Sequence, residues 1–526
     1  MADMLSTPAP ANGNAPASDS SSNVYAVFGA EPEVQAYAMA KYSRSALSMK
    51  ESLEEISRQK AEKFLNTFYF QYGHRSIADL AHIALAIERL SILAAIVIAD
   101  EQRWDGQERS TRYQDFRKSG FYTPDFGDDS QSRELYRSAI ESLFSTYESV
   151  SEKVFQHLRE ITPKPSDMKQ EGYERTLRAR AFDVSRYLLP LATNTSLGEI
   201  VNARTLESQV SHLLSHTHKE VRNLGELLKR AASSAAYNVN HTSARKLINE
   251  IRQLSPDLAS RAEADLLREV CVAPTLVKYA DPNPYEMETR RELRQIASEL
   301  MDGIPHENAQ PVDLLDPEPL EIELATTLVY EHARHSYRQI RRQVEAIGEL
   351  RRKEVIDLGT RHRGRHDELL RAFRAGQQFR FDILMDVGGF RDMHRHRRCV
   401  QIEQQFTTEH GYDTPAELAP AGALEDYRSA MESARKTAFQ LSESHGSEAA
   451  ENSQYVIPLG FRKRTLFKMD FAEAVYISEL RTGPAGHTSY RNVAYAMYEE
   501  VQKQYPALAE YFRVHDVREP VDLLQR

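Results

Sequence analysis

Cysteine is nearly absent: Cys271 and Cys399 are the two in 526 residues. Two thiols cannot make a disulfide framework or a cysteine-rich zinc site, and their scarcity fits a reducing compartment, so a cytoplasmic location is expected. Long apolar runs are missing as well. The longest, LSILAAIVIA at 90–99, is about half of the ~20 residues that a membrane-spanning helix needs, and no membrane partner is expected. Positive charge is not in excess: the formal net charge is -10, which gives no general drive toward DNA or RNA and predicts no nucleic-acid partner. Glycine and proline, 22 each, are too few for a fibrous or low-complexity chain. The patterns GxGxxG and GxxxxGK[ST] do not occur in a fitting context, so neither a dinucleotide fold nor a triphosphate loop is supported. Residues 1–22 lack the basic start and apolar centre of a secretory signal, and their Ala, Ser, Pro and Asn content predicts a disordered tail.

What is there is a balance of 41% hydrophobic and 27% charged residues, that of a soluble globular chain with several domains. The chain also matches itself. GFYTP at 120–124 pairs with GYDTP at 411–415, SRYLLPL at 185–191 with SQYVIPL at 453–459, and KYSRS near 43 with RHSYRQ near 337. Shared order and similar offsets predict a tandem duplication: repeat 1 over 23–250, a connector with helical pieces over 251–319, and repeat 2 over 320–526. Helix spacing runs through 33–65, 76–98, 204–233, 471–481 and 489–505. FRFDILMDV at 379–387 and FRKRTLFKMDF at 461–471 read as strands of a small sheet, which makes the fold class α+β, helix-rich, with a small sheet in each repeat.

Two stretches carry chemistry. RDMHRHRRCVQIEQQFTT at 391–408 packs Arg391, His394, Arg395, His396, Arg397 and Arg398 together. Arginine presents a planar fork that matches phosphate oxygens, so the cluster reads as an anion site for a pyrophosphate-bearing cofactor. A strand would also put His394 and His396 on one face, with His410 as a third metal ligand, yet no carboxylate or cysteine completes a familiar spacing, and no metal is expected. A solvated basic face is the bland alternative. In ERSTRY, Glu108, Ser110 and Arg112 alternate by two and would share a face of an extended segment, around one polar ligand. They read equally well as a helix cap at Ser110 beside a Glu108–Arg112 surface ion pair.

Together these residues resemble the flavin-dependent thymidylate synthases, whose signature is R-H-R, five residues, then E-x-S-x-R-Y. Repeat 2 supplies Arg395-His396-Arg397 and Glu403 but then has Gln405 and Thr407; repeat 1 supplies Glu108, Ser110, Arg112 and Tyr113 but has Asp100-Glu101-Gln102 in place of R-H-R. Downstream, Arg186 before LP and Asn202-Ala203-Arg204 match in repeat 1, and Leu480-Arg481 matches in repeat 2. GHRS at 73–76, with Ser76, is similar to an early flavin contact of the family.

The resemblance implies an internal pseudo-dimer of two synthase-like domains with one composite site per chain. In it, Arg395, His396, Arg397, Glu403, Ser76, Asn202 and Arg204 would hold FAD. The nucleotide dUMP would meet Glu108, Ser110, Thr111, Arg112, Arg186, Asp392, Arg395 and Arg481, with Arg481 as the catalytic residue that stabilises charge developing on the pyrimidine. Asp392 departs from the family, which has a neutral Gln there. The implied reaction is reductive methylation of dUMP to dTMP, with NADPH and methylenetetrahydrofolate as co-substrates. The opposite half-site, with Asp100 and Glu101 facing Gln405 and Thr407, is expected to be empty because carboxylates repel phosphate. A homodimer is expected because the family is tetrameric. A flavoenzyme acting on C5 of another pyrimidine nucleotide, or a non-catalytic flavin- or nucleotide-binding homologue, are the alternatives.

Overall fold

In a computed structural model, the structure describes residues 29–41, 53, 75–307, 310–364, 367–444 and 448–524. Two antiparallel sheets organise them. The first holds β1 (His82–Ser91), β2 (Trp104–Glu108) and β3 (Asn194–Asn202) in the order β1-β3-β2. The second holds β4 (Val312–Leu314), β5 (Phe379–Asp386), β6 (Val400–Glu403) and β7 (Arg462–Met469) in the order β4-β5-β7-β6. Removing β4 leaves the same three-strand order in both, so β4, from the stretch expected as connector, is an added edge strand. The strands expected at 379–387 and 461–471 are β5 and β7. The fold is α+β, with helices dominant.

One helix expected from spacing is corrected. Residues 76–98 are not continuous helix: a 3-10 turn Arg75–Leu80 leads into β1, and helix begins only at Ile92–Ala99. Apolar residues at 83 and 87 fit both periods, while 90 fits only the helical one and reaches the buried strand face through an irregularity at Arg89, φ 59°; pairing with β3 selects the strand, which buries Ile83 and Ile87 and leaves His82, Ala84 and Ala86 outside. Ser91 then starts the helix, its Oγ accepting from the Ala94 N–H. The segment 204–233 similarly breaks at 215–218 into Ala203–Leu214 and Lys219–Ser233. In repeat 2, Phe471–Thr482 and Thr488–Gln504 are helical as expected. Of the earliest helical segment, Pro32–Lys41 is helix, and 42–52 and 54–65 lie outside the described residues.

The matched peptides occupy equivalent places. Gly120 and Gly411 both take φ +70°, a left-handed value that glycine tolerates. Each is followed by an antiparallel bridge, Phe121 with Thr193 and Tyr412 with Phe461. The Tyr136 hydroxyl donates to the Tyr122 carbonyl and Tyr427 to Asp413, each at 2.6 Å. SRYLLPL and SQYVIPL then meet each other across a pseudo-twofold axis. Leu191 and Ala192 N–H groups donate to Ile457 and Tyr455 carbonyls at 2.9 and 2.8 Å, and Leu459 and Gly460 return bonds to Leu189 and Tyr187 at 2.9 Å. A Cβ at Gly460 would stand 2.8 Å from Tyr187, so this close approach requires glycine. One continuous apolar core spans both repeats, and a second packs the helices Pro284–Met301, Leu320–Tyr330, Tyr337–Ala346 and Gly348–Leu358 against Val400, Ile402 and Leu466 of the second sheet.

Glu199 on β3 points into the interior beside Gln209 and is 2% exposed. Burial pushes its carboxyl up to about 7, against the Gln209 hydrogen bond and with help from Glu101. The folded state therefore binds a proton more tightly than the unfolded chain, and the stability this supplies is full below the ordinary carboxyl pKa and lost as pH rises through about 7. In denaturant titrations Glu199→Gln should match the parent near pH ~4 and exceed it by about 2 to 3 kcal/mol near pH ~8. An equal effect at both pH values would exclude this role for Glu199.

Candidate functional site

Where β5 ends, Asp386 caps the helix Val387–Met393, its Oδ1 accepting from Gly389 N–H at 2.7 Å. That helix and the turn after it carry the basic cluster to the boundary with repeat 1. The helix Phe471–Thr482, capped by Asp470, delivers Arg481, and Thr488–Gln504 delivers Tyr490. Repeat 1 answers with the turn after β2 and with Arg186, which follows the helix Gln170–Ser185.

ERSTRY is not extended. β2 stops at Glu108, and Ser110 sits in a turn where its Oγ accepts from the Arg112 N–H at 3.2 Å, so the shared face predicted for Glu108, Ser110 and Arg112 does not form. The helix-cap reading of Ser110 fails with it. The side chains nevertheless reach across to repeat 2. Arg391 donates to Glu108 at 2.5 Å and to the Thr111 hydroxyl at 3.5 Å. Arg112 grips Asp183 through Nε and Nη2 at 2.8 and 3.3 Å, and donates to the Tyr490 hydroxyl at 2.8 Å and the Ala485 carbonyl at 3.2 Å. Burial works against the Arg112 charge, but Asp183 outweighs it and raises the pKa.

Asp392 is the centre of the arrangement. Burial would raise its carboxyl, yet Arg186 and Arg112 of repeat 1 and Arg395 and Arg481 of repeat 2 hold it below the usual range. Arg186 Nη1 lies 3.6 Å from Asp392 Oδ2. The Arg186 side chain is 2% exposed, and its Nε and Nη2 have no hydrogen-bond partner among the described residues. Buried guanidinium donors left unmatched are costly. Chemically they suit an anion, and the residues at hand therefore fit a phosphate-bearing ligand.

The basic cluster does not converge on one point. His396 Nε2 accepts from Arg481 Nε at 2.8 Å while Nδ1 faces Glu473 at 3.4 Å, which fixes the Nδ1–H tautomer; burial lowers its pKa, against Glu473 and with Arg481. Arg395 is exposed, Arg397 turns to Asp105 at 3.6 Å and over the Trp104 ring, and Arg398 turns to Asp470. His394 follows the helix end rather than a strand and points away from His396, so the two do not share a face. Cys399 is buried, its thiol pushed up to about 12 by burial and bonded to the His396 carbonyl, which is a packing role. Asn202 and Arg204 gather with the turn that carries Ser76: Asn202 caps Ala203–Leu214 and Arg204 reaches Asp79 at 3.3 Å. Gly73 and His74 lie outside the described residues.

Glu403 is drawn to the other half-site. One ligand atom each from Asp100, His394 and Glu403 lie within 4.8 Å of one another. Both carboxylates already face cations: Arg371 donates to Asp100, and Lys463 Nζ lies 3.0 Å from Glu403. Arg374 donates to Gln102, whose amide in turn donates to the Cys399 carbonyl. Thr407 is buried and accepts from the Glu409 N–H. Sequence reasoning missed Asp183, Tyr490 and Arg371, none of which stands at a motif spacing; helix periodicity alone offers them as ordinary surface or core positions.

The family model described as thymidylate synthase complementing protein matches residues 26–236 and again 321–507. A "UPF0159 protein" of Chlamydia muridarum is 28% identical over 95% of this chain and 93% of its own length, and one of Thermoplasma acidophilum 23% over 91% and 94%. A flavin-dependent thymidylate synthase of Clostridium tetani is 24% identical over 41% of this chain and 84% of its own. The solved thymidylate synthase X of Helicobacter pylori, described with FAD and dUMP, is 17% identical with a TM-score of 0.26, covering 38% of this chain and 88% of that one.

Asp183→Asn removes the counter-charge of a buried guanidinium, and should cost about 3 kcal/mol in urea unfolding; Tyr490→Phe, which deletes one hydrogen bond, should cost about 1 kcal/mol. Equal and small losses in the two would show that Arg112 does not depend on Asp183.

Proposed function

We propose, from the premise that the chain belongs to the thymidylate synthase complementing protein family, that it is a flavin-dependent thymidylate synthase-like enzyme. It would convert dUMP to dTMP with methylenetetrahydrofolate and NADPH, at one composite site per chain between repeats 23–250 and 320–526. Arg186 carries this reading: a guanidinium 2% exposed, with unmatched donors, in a nest of arginines from both repeats. FAD and dUMP stand in the description of the Helicobacter pylori protein, and the Clostridium tetani relative bears the flavin-dependent name.

Bound FAD would supply the hydride that completes the methyl group. Arg395 and Arg397, with Asn202, Arg204 and Ser76, would hold that cofactor, and neutral His396 would keep the Arg481 guanidinium aimed. Arg186 would take the nucleotide phosphate. Arg481 would stabilise negative charge on the ring, with the buried Tyr490 ring, 5.6 Å from its guanidinium, as a wall beside it. Arg112, committed to Asp183 and Tyr490, would position that wall rather than contact substrate. Asp392 favours a second reading, a pyrimidine nucleotide other than dUMP: an ionised carboxylate only accepts hydrogen bonds, so the ligand edge beside it must donate.

Purified protein should carry about one FAD per chain, and Arg186→Ala and Arg481→Ala should each lower kcat/KM for dTMP formation at least ~10-fold, the loss expected from a missing charge-assisted bond. Gln405→Ala should leave it within about twofold of the parent. Two flavins per chain, or equal losses in all three variants, would overturn the single composite site, and flavin bound without NADPH-dependent turnover would favour the binding-protein alternative.

A further inference from the structure

Tyr490 is 5% exposed, and among the described residues its hydroxyl makes one hydrogen bond, which it accepts from Arg112 Nη1 at 2.8 Å. A phenol is also a donor, and no described residue accepts its proton. A buried donor without an acceptor is costly, and this one stands inside the candidate site. Arg112 itself is pinned. Its Nε and Nη2 hold Asp183 at 2.8 and 3.3 Å and Nη2 also reaches the Ala485 carbonyl at 3.2 Å, so turning it toward a ligand would leave a buried carboxylate unpaired. Its charge acts through the tyrosine instead: a hydroxyl oxygen that accepts from a cation is polarised and becomes the stronger donor.

The hydroxyl lies on the Arg186 side of the site. The Tyr490 ring centre is 5.6 Å from the Arg481 guanidinium and 5.7 Å from that of Arg112, and the oxygen is at the Arg112 end. Arg186 and Arg112 are in turn the two cations that do most to keep Asp392 ionised, which puts the hydroxyl in the neighbourhood of the unmatched Arg186 donors.

The opposite half-site has no such pair. Tyr490 and Val221 are each the third residue of a helix, and the residues before them, Ser489 and Glu220, make equivalent bonds to the caps Asp386 and Ser91. Val221 has no hydroxyl, and Thr407 stands at the place of Arg112. Both partners of the pair change together, which a packing role for the tyrosine alone would not require.

We propose that the Tyr490 hydroxyl, backed by Arg112, is a ligand contact of the composite site and donates to the phosphate of the bound nucleotide, with Arg186 as the other donor. The phenol thus takes over the phosphate contact that the sequence assigns to Arg112. This inference rests on the nucleotide-binding reading above.

Isothermal titration calorimetry of the full chain against dUMP and against deoxyuridine, which lacks the phosphate, tests it. Tyr490→Phe keeps the ring and should weaken dUMP binding ~10-fold, the loss expected for a hydrogen bond to a charged group, while deoxyuridine binds both chains equally. Phosphorus NMR adds a readout that loosened packing would not imitate. A donated hydrogen bond favours the phosphate dianion, so the second pKa of bound dUMP should be higher in Tyr490→Phe than in the parent. Unchanged dUMP affinity, an equal loss for deoxyuridine, or an unmoved phosphate pKa would overturn the contact and leave the nucleotide reading standing. A parent that binds no dUMP would overturn that reading, and the contact with it.

Discussion

Backbone hydrogen bonding between SRYLLPL and SQYVIPL is the constraint on which the site depends. Four bonds between Tyr187–Ala192 and Tyr455–Gly460 run at 2.8 to 2.9 Å on both sides of the pseudo-twofold axis. Prolines 190 and 458 face each other at its middle, where their missing N–H groups leave no donor unpaired. Arg186 immediately precedes this zipper. Its position relative to Asp392 is therefore set by main-chain geometry that crosses the repeats, not by flexible side-chain contacts, and a register slip of one residue would turn it away.

The two halves keep the geometry while exchanging the chemistry. At the end of β1, Ser91 caps a helix and gives its hydroxyl proton to Glu220 at 2.6 Å; at the end of β5, Asp386 caps the equivalent helix and accepts from Ser489. The same acid–hydroxyl bond is made with the partners reversed. In repeat 2 the acid is the capping residue itself, and burial, with Asp413 adding to it, raises its carboxyl to about 6 beside Arg186. A fused pair of domains can diverge in this way because each half-site is encoded once, whereas identical subunits must carry every change twice.

Much of this was legible in the residues. The duplication followed from matched peptides such as GFYTP and SRYLLPL, the β5 and β7 strands from β-branched and aromatic runs, and the division of motifs from R-H-R in repeat 2 and E-x-S-x-R-Y in repeat 1. The strand β1 was not, because apolar residues at 83, 87 and 90 keep helix spacing, and the strand brings Leu90 to the buried face only through an irregularity at Arg89 that spacing does not announce. Nor were the partners of Arg112. Asp183 and Tyr490 lie 71 and 378 residues away in sequence, and a contact of that range has no signature in spacing. The charge pattern of RDMHRHRRC suggested convergence, but a helix end splays successive side chains around the axis, and His394, His396 and Arg397 leave in three directions.

The two half-sites differ in how their charges are matched. Asp100 sits across from Glu403, and two carboxylates drawn together under burial demand cations. The chain provides them internally: Arg371, from the short 3-10 turn Arg371–Phe373, meets Asp100, and Lys463 on β7 meets Glu403. Arg371 bonds there to Asp100 through its side chain and backbone and to the Gln401 carbonyl, so its donors are engaged within the fold. Around Asp392 the balance differs: Arg112 is matched by Asp183 and Arg395 is exposed, while the buried Arg186 keeps Nε and Nη2 without hydrogen-bond partners among the described residues. Buried guanidinium donors without partners are costly for the protein alone and suit an anion from outside. That uneven matching of donors, more than any single motif residue, is what sets the Asp392 side apart from the Asp100 side.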